Sequence, residues 1–367
     1  MIIPNYFPIV GGTENQLRGL VTHLKDDYNV EILTQRYNRL KCDEFVDGIK
    51  VRRIRSIPYL GILTEFFNAL LMFKYIFVNQ KKIDLIHFHQ GTLLNALISI
   101  LNYKFIGIKS ICKIANSGEK FDLNSINFPF EKQIKKAFIK SINLFVVLNE
   151  DIKKQLNHIH SNKTINIPNG VNLMKLNNSK FEYPRKIIFS SRLVPQKNID
   201  VILNYLLYID NNLKEFEINI YGNGPEYDKL FSIGKSFQKI KFKVISDSRK
   251  PYINFRHGDV FINSSSYEGI SNSLLEAMSC GLVPLVSNIP GNLRVIRHGF
   301  NGFSFDFKCK NSFIKSLNLI INSDELYQEI SKNSYNTIKK EFDFRIVVTK
   351  YKLIYKKLIN EDSQNLL

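Results

Sequence analysis

Two carboxylates, Glu268 and Glu276, stand eight positions apart in the stretch 259–303, where the chain's chemistry is most concentrated. An apolar run, Val260 to Asn263, reads as a buried strand, and a polar loop follows it. A helix is predicted from about Asn272 to Cys280, with Gly281 suited to its C-cap and a second strand at Val283 to Ser287. Strand, loop and helix on this scale form a βαβ unit whose loop lies at the C-terminal edge of a parallel sheet, where such folds bind ligands. Glu268 precedes the helix; Glu276 sits about one turn inside it and leans back toward its N-terminus. The two acids therefore flank one helix N-terminus, whose free N–H groups and dipole attract an anion such as phosphate. A carboxylate beside a phosphate is costly unless it accepts sugar or ribose hydroxyls, so the pair reads as a nucleotide-sugar site. Two acids alone could equally be a solvated loop residue and an exposed helix residue; the ordered string around them favours the site.

The elements that must position these acids need a large frame. A chain of 367 residues, 44% hydrophobic and 23% charged, suits two globular domains of ordinary size. Cys42, Cys112, Cys280 and Cys309 are scattered, with no CxxC pair, and read as reduced thiols of a cytosolic protein rather than metal ligands or a disulfide framework. No basic leader precedes an apolar core, so no signal peptide is expected. The net charge of +18 is spread over both halves, with 24 Lys and Arg against 14 Asp and Glu in residues 1–178. Such a surface suits nucleic acid, anionic lipid or an anionic substrate, and no nucleic-acid module is recognisable.

The string EGISNSLLEAMSCGLVPLVSN, residues 268–288, resembles the E-x7-E signature of retaining glycosyltransferases of family 4 (glycosyl transferases group 1). The resemblance covers nearly the whole chain and is densest from Arg185 to Phe303. It implies an α/β protein of the GT-B fold, two Rossmann-like doubly wound domains facing across a cleft. Residues 1–176 would be the acceptor-side domain and 177–344 the nucleotide-sugar domain, with the last helix, 345–367, packing back on the first. Arg192 and Lys197, in the loop after the strand IIFSS, match the family's Arg and Lys that hold the donor pyrophosphate. A forked guanidinium and an ammonium are suited to a diphosphate leaving group; two solvated loop cations is the plainer reading. The resemblance makes Glu276 the acceptor of ribose hydroxyls and Glu268 that of the sugar's hydroxyls, with Gly269, Ile270, Ser271, Asn272 and Leu275 on the donor. The Gly222-Asn-Gly224-Pro turn belongs to the same likeness, and 246–251 would pass the nucleobase.

The first half is less specific. Only Met1 to Ile3 precede Pro4, so the opening strand is expected to be short. Gly11 and Gly12 then lead into an amphipathic helix with Leu17, Leu20, Val21 and Leu24 at helical spacing; GGTE resembles the family's loop facing the donor diphosphate, or is a plain turn. Strands are expected at Val30 to Thr34 and Ile49 to Ile54. The apolar run Gly61 to Val78 reaches the minimum length of a membrane span but holds Glu65, Asn68 and Lys74, and reads as a buried or interfacial helix. DLIHFH, 84–89, reads as a buried strand whose two histidines face opposite sides, with His89 nearer a cleft. KIANSGEKFDL, 113–123, has Asn116 where many relatives place histidine; by resemblance Asn116, Ser117 and Glu119 line the sugar side. Lys132, Lys135, Lys136 and Lys140 lie largely on one side of a helix, a solvated face or a membrane-facing patch. A polar linker is expected at 177–184, and Arg294 stands where relatives commonly have glutamate.

What the resemblance implies is hexosyl or N-acetylhexosaminyl transfer from a UDP- or GDP-sugar, with retention, to a glycan or lipid-linked glycan. The expected setting is bacterial surface polysaccharide synthesis (capsule, O-antigen or exopolysaccharide), in the cytoplasm or on the inner face of the membrane. The departing phosphate oxygen would take the acceptor's proton, so no side-chain nucleophile is required. The sequence holds no Asp-x-Asp, and no metal or other cofactor is expected. Rival readings are a nucleotide-sugar epimerase or hydrolase of related fold, and a non-catalytic membrane-surface partner.

Overall fold

The computed structural model describes the chain except for residues 10, 38–39, 57–61, 117–121, 127–129, 158–162, 176–184, 211–215, 247–250, 256–258 and 365–367. The expected linker and most of the segment assigned to the nucleobase thus lie outside the described residues. The chain divides into two compact units, Met1–Gly170 with Phe344–Leu367, and Val171–Asp343.

The first unit runs α1 (Gly12–Leu24), β1 (Glu31–Arg36), β2 (Asp43–Val46), β3 (Ile49–Arg55), α2 (Ile62–Asn79), β4 (Ile86–His89), α3 (Leu93–Phe105) and β5 (Ser110–Ile114). It continues with α4 (Glu131–Ser141), β6 (Leu144–Val147), α5 (Glu150–Asn157) and β7 (Thr164–Asn166). Its strands form two runs, β1-β3-β2 and β4-β5-β6-β7, parallel but for the β2–β3 hairpin, which turns at Asp47 and Gly48. Ile2 joins the runs. Its N–H donates to His87 O and its carbonyl accepts from His89 N, each at 2.8 Å, and it bridges Leu33 on its other side. The opening strand is therefore as short as the sequence suggests, yet it occupies the middle of the sheet.

The second unit holds β8 (Arg185–Ser190), α6 (Ile199–Tyr208), β9 (Phe216–Tyr221), α7 (Tyr227–Gly234), β10 (Lys241–Ile245) and β11 (Val260–Asn263). Next come α8 (Asn272–Ser279), β12 (Val283–Ser287), α9 (Pro290–Leu293), β13 (Phe303–Phe305), α10 (Lys310–Ile321) and α11 (Asp324–Thr337). All six strands are parallel, in the order β10-β9-β8-β11-β12-β13. The chain winds outward from β8 to β10, then returns to β11 and winds the other way. The winding reverses between β8 and β11, the topological switch point at which doubly wound sheets open a ligand crevice. The core is apolar, with Ile187, Ile218, Val260, Val283 and Leu285 on the sheet against α6 and α10.

The last helix, α12 (Phe344–Gln364), belongs to the first unit. Its Phe344, Val347, Val348 and Tyr351 bury against Leu20, Leu24, Ile111, Val146 and Ile167. Within the second unit the two ends of the segment meet: Val171 N donates to Phe342 O at 2.9 Å and Val171 bridges Asp343.

Candidate functional site

The loops that follow β8 and β11 leave the two strands flanking the switch point, and they are stitched together. Asn198 Nδ2 donates to Ser264 O at 3.1 Å, and Ser264 Oγ donates to Lys197 O at 2.6 Å. Ser266 N donates to Gln196 O at 3.0 Å, while Gln196 Nε2 returns to Tyr267 O at 2.8 Å. This lacing brings Lys197 Nζ onto Glu268 Oε1, which also accepts from Ser265 Oγ at 2.9 Å. Only 14% of the lysine side chain and 16% of the glutamate side chain remain exposed, so water screens the pair weakly. Arg192, at the mouth of the same loop, is exposed, and its guanidinium has no ion-pair partner among the described residues. Ser190, Ser191, Lys197, Asn263, Ser264 and Ser265 line a small pocket between the strand ends.

Gly222 and Gly224 support the Arg192 loop. Their φ of 156° is open to glycine, and a Cβ would lie 1.9 Å from Ser191 O at the first and 2.3 Å from Leu193 O at the second. That contact lets Leu193 N donate to Asn223 O at 2.9 Å and Glu226 N to Leu193 O at 3.0 Å. The two glycines therefore approach the neighbouring backbone.

Ser271 caps α8, its Oγ accepting from Leu274 N at 3.4 Å and meeting Ser273 Oγ at 3.1 Å. Glu276 lies in the second turn, half-buried, and its carboxylate finds no hydrogen bond or ion pair among the described residues. Burial raises its pKa to about 7. Gly269 and Ile270 are buried and Asn272 is half-buried at the helix entrance. The Leu275 side chain is wholly buried, and its N–H donates to Ser271 O at 3.2 Å.

In the first unit Gly12 opens α1 at an exposed position, after Gly11 in extended conformation. His89 is corrected on two counts. Residues two apart on a strand share a face, and the His87 and His89 rings lie 4.2 Å apart, not on opposite sides. His89 is also wholly buried and lines no open surface. His87 Nδ1 meets Tyr355 Oη of α12 at 2.7 Å, whereas His87 Nε2 and both His89 nitrogens have no hydrogen-bond partner among the described residues. Burial first, then neighbouring positive charge, holds both imidazoles well below their usual pKa. Asn116 is exposed and its Nδ2 donates to Asp122 Oδ1 at 2.7 Å. Ser117 and Glu119 lie outside the described residues. Among the described residues no group of three or more His, Cys, Asp or Glu is placed to hold a metal ion.

The glycosyl transferases group 1 model matches residues 174–337, and the glycosyltransferase family 4 model matches residues 10–175. The chain is a family 4, group 1 glycosyltransferase. It is 26% identical to an uncharacterized glycosyltransferase of Methanocaldococcus jannaschii, over 98% of each chain. It is 31% identical to the Escherichia coli UDP-Gal:alpha-D-GlcNAc-diphosphoundecaprenol alpha-1,3-galactosyltransferase, over 52% of this chain and 53% of that protein. Sucrose-phosphate synthase from Thermosynechococcus elongatus superposes with a TM-score of 0.78 at 15% identity, covering 98% of this chain and 96% of that one. Anabaena HepE in complex with UDP-glucose superposes at 0.74 and 15% identity, covering 97% and 99%. These likenesses show the fold, GT-B with two Rossmann-like domains.

Several residues of this glycosyltransferase escape a reading of motifs. Gly291, at the start of α9, lies against the Glu268 and Gly269 carbonyls, where a Cβ would come within 2.4 and 2.5 Å. Only its place in the PGN turn hints at this. Asp122 gathers the loop after β5: its carboxylate accepts from Ala115 N at 2.8 Å, Asn116 N at 3.1 Å and Gly91 N at 3.3 Å. Lys113 is buried and donates to Asn169 Oδ1 at 2.8 Å, with its pKa lowered by burial to about 8. Arg294 has a structural partner: with Arg297 it flanks Glu341, at 3.6 and 3.0 Å, and its guanidinium sits 5.7 Å from the Phe342 ring centre.

Proposed function

We propose that this glycosyltransferase moves a hexosyl or N-acetylhexosaminyl group, with retention, from a UDP- or GDP-sugar to a glycan or lipid-linked glycan in the synthesis of a bacterial surface polysaccharide. The observation that carries this reading is the Lys197–Glu268 pair at the switch point, with Arg192 unpaired beside it and the Glu276 carboxylate unsatisfied on α8. Arg192, Lys197 and the α8 N-terminus hold the diphosphate and stabilise its charge as it leaves. Glu276 accepts the ribose hydroxyls and Glu268 those of the transferred sugar. Gly12 and the Asn116, Ser117 and Glu119 loop serve the diphosphate and acceptor sides. The C1–O bond to the diphosphate breaks, the acceptor oxygen bonds to C1 on the same face, and its proton passes to the departing phosphate oxygen.

Support for the donor class comes from the Anabaena structure, which holds UDP-glucose, and for the acceptor class from the E. coli relative, named for a diphosphoundecaprenol-linked sugar. No resident cofactor or metal is required in this reading, because the cations and the helix N-terminus supply the charge. The experiment is acceptor-dependent release of nucleoside diphosphate over a panel of nucleotide-sugars, with and without EDTA. Nuclear magnetic resonance of the product then reads the anomeric configuration. Release of free sugar without acceptor, or an inverted product, overturns the proposal.

A further inference from the structure

The outward face of α2 is unusual for a helix on a globular surface. Its exposed positions recur at helical spacing: Leu63, Phe66, Phe67, Leu70, Phe77 and Val78. Exposure runs from 37% at Leu70 to 72% at Val78, while Asn68, Ala69, Met72 and Ile76 turn inward and are buried. The helix is thus apolar on both sides, and one apolar stripe is exposed. Neighbouring helices extend the stripe. Phe105, 65% exposed at the end of α3, has its ring 6.2 Å from Phe73, which lies 6.1 Å from Phe77. Tyr103 stands beside it, half exposed, with Lys140 Nζ of α4 at 5.9 Å from its ring centre.

The rim of this patch is basic. Lys74 interrupts the stripe, Lys81 and Lys82 follow the end of α2, and Lys104 lies in the last turn of α3, all exposed. None of the four pairs with an acid among the described residues. Glu65 is half-buried, and Glu131 is engaged by Lys135. Exposed aromatic and aliphatic side chains ringed by unpaired lysines are the composition of a helix that lies in a lipid interface, with its apolar face among the acyl chains and its cations on anionic headgroups. No helix among the described residues is long and apolar enough to cross a membrane, so α2 would lie along the surface. A second copy fits poorly as the occupant. A twofold interface sets the same patch against itself, which would bring one rim of lysines onto the other.

We propose that the α2 stripe, with the exposed ends of α3 and α4, docks this enzyme on an anionic lipid bilayer. This inference is independent of the donor site. It also relocates the contact, because the Lys-rich helix α4 contributes only its end; Lys135, in its middle, is half-buried and ion-paired.

The test is co-sedimentation of the full chain with phosphatidylcholine vesicles and with vesicles containing phosphatidylglycerol, at low and high salt. Wild type should pellet with the anionic vesicles at low salt and be released at high salt. The triple variant Lys81→Gln, Lys82→Gln, Lys104→Gln should weaken partitioning on the order of a hundredfold. Leu63→Ser, Phe77→Ser, Val78→Ser should weaken it by about tenfold or more. Both variants should keep the wild-type melting temperature within a few degrees and bind nucleoside diphosphate normally, since every altered side chain is exposed. Wild type remaining in the supernatant at low salt overturns the proposal, as do variants that pellet like wild type. Sedimentation velocity without lipid identifies the rival: self-association lost in the serine variant, with vesicle binding retained, assigns the stripe to a second copy.

Discussion

Lys197 and Glu268, 71 residues apart in the chain, share an ion pair because Ser264 and Ser265 hold the two loops that carry them. Arg192, five residues before Lys197, has no such partner. The two cations should therefore respond differently when removed. Arg192→Ala should leave the melting temperature unchanged, whereas Lys197→Ala strands a shielded carboxylate and should lower it measurably. Both should reduce turnover by about two to three orders of magnitude if they stabilise the departing diphosphate. Steady-state kinetics beside thermal melts separates the two effects, and near-wild-type transfer by either variant removes its proposed role.

The two acids should part company in binding. Glu276→Ala should weaken binding of the bare nucleoside diphosphate, and Glu268→Ala should leave it nearly intact while impairing transfer. A pH series adds a sign. With the Glu276 pKa raised from 4.5 to about 7, the unfolded chain ionises this group before the folded one does. Stability of the unliganded protein should fall as pH rises through that window. Nucleotide affinity should rise over the same range as the hydroxyl-accepting carboxylate forms. Glu276→Gln should flatten both trends in melts and calorimetry relative to wild type.

The glycine turn after β9 offers a test of loop support. Gly222→Ala and Gly224→Ala force a Cβ onto backbone oxygens that cannot swing aside, and each should cost roughly 1–3 kcal/mol by denaturant unfolding. Because the displaced backbone is that of Ser191 to Leu193, turnover should fall beyond what the stability loss explains. Wild-type kinetics in a folded variant would mean that Arg192 does not depend on this brace.

Buried histidines set an acid limit on the first unit. His87 and His89 are held neutral when folded but titrate near 6.5 when unfolded. Above that pH they contribute no difference. Below it the unfolded chain takes up protons that the folded one refuses, and stability falls. His89→Leu should make the loss of stability between neutral and mildly acidic pH shallower than in wild type. An unchanged slope would show that other groups govern it.

The second unit was the more legible in sequence because its strands are short apolar runs between unmistakable turns. Val260–Asn263 and Val283–Ser287 fall where periodicity and Gly281 put them. The residues that could meet at the switch point were legible as types; the lacing that joins Lys197 to Glu268 was not, since it uses backbone carbonyls of distant loops. Three features of the first unit were hidden for different reasons. The β2 strand alternates exposed and half-buried residues, so it carries no apolar signal. A short opening strand was expected, but its reduction to one residue, Ile2, bridging both runs of the sheet lies below any periodicity. Asp122 looked like one more loop acid until four donors, from Gly91, Ala115 and Asn116, converged on it.

Val171 lies beside Phe342 and Asp343, so the second unit is a segment whose two ends touch, inserted into a first unit that needs both ends of the chain. On the ribosome this fixes an order. The second unit is complete once Asp343 has emerged, while Leu20, Leu24, Ile111, Val146 and Ile167 await α12, which follows it. The first unit, whose strands precede the second unit in the chain, closes its core only after it, and until then its uncovered apolar surface is what chaperones would meet.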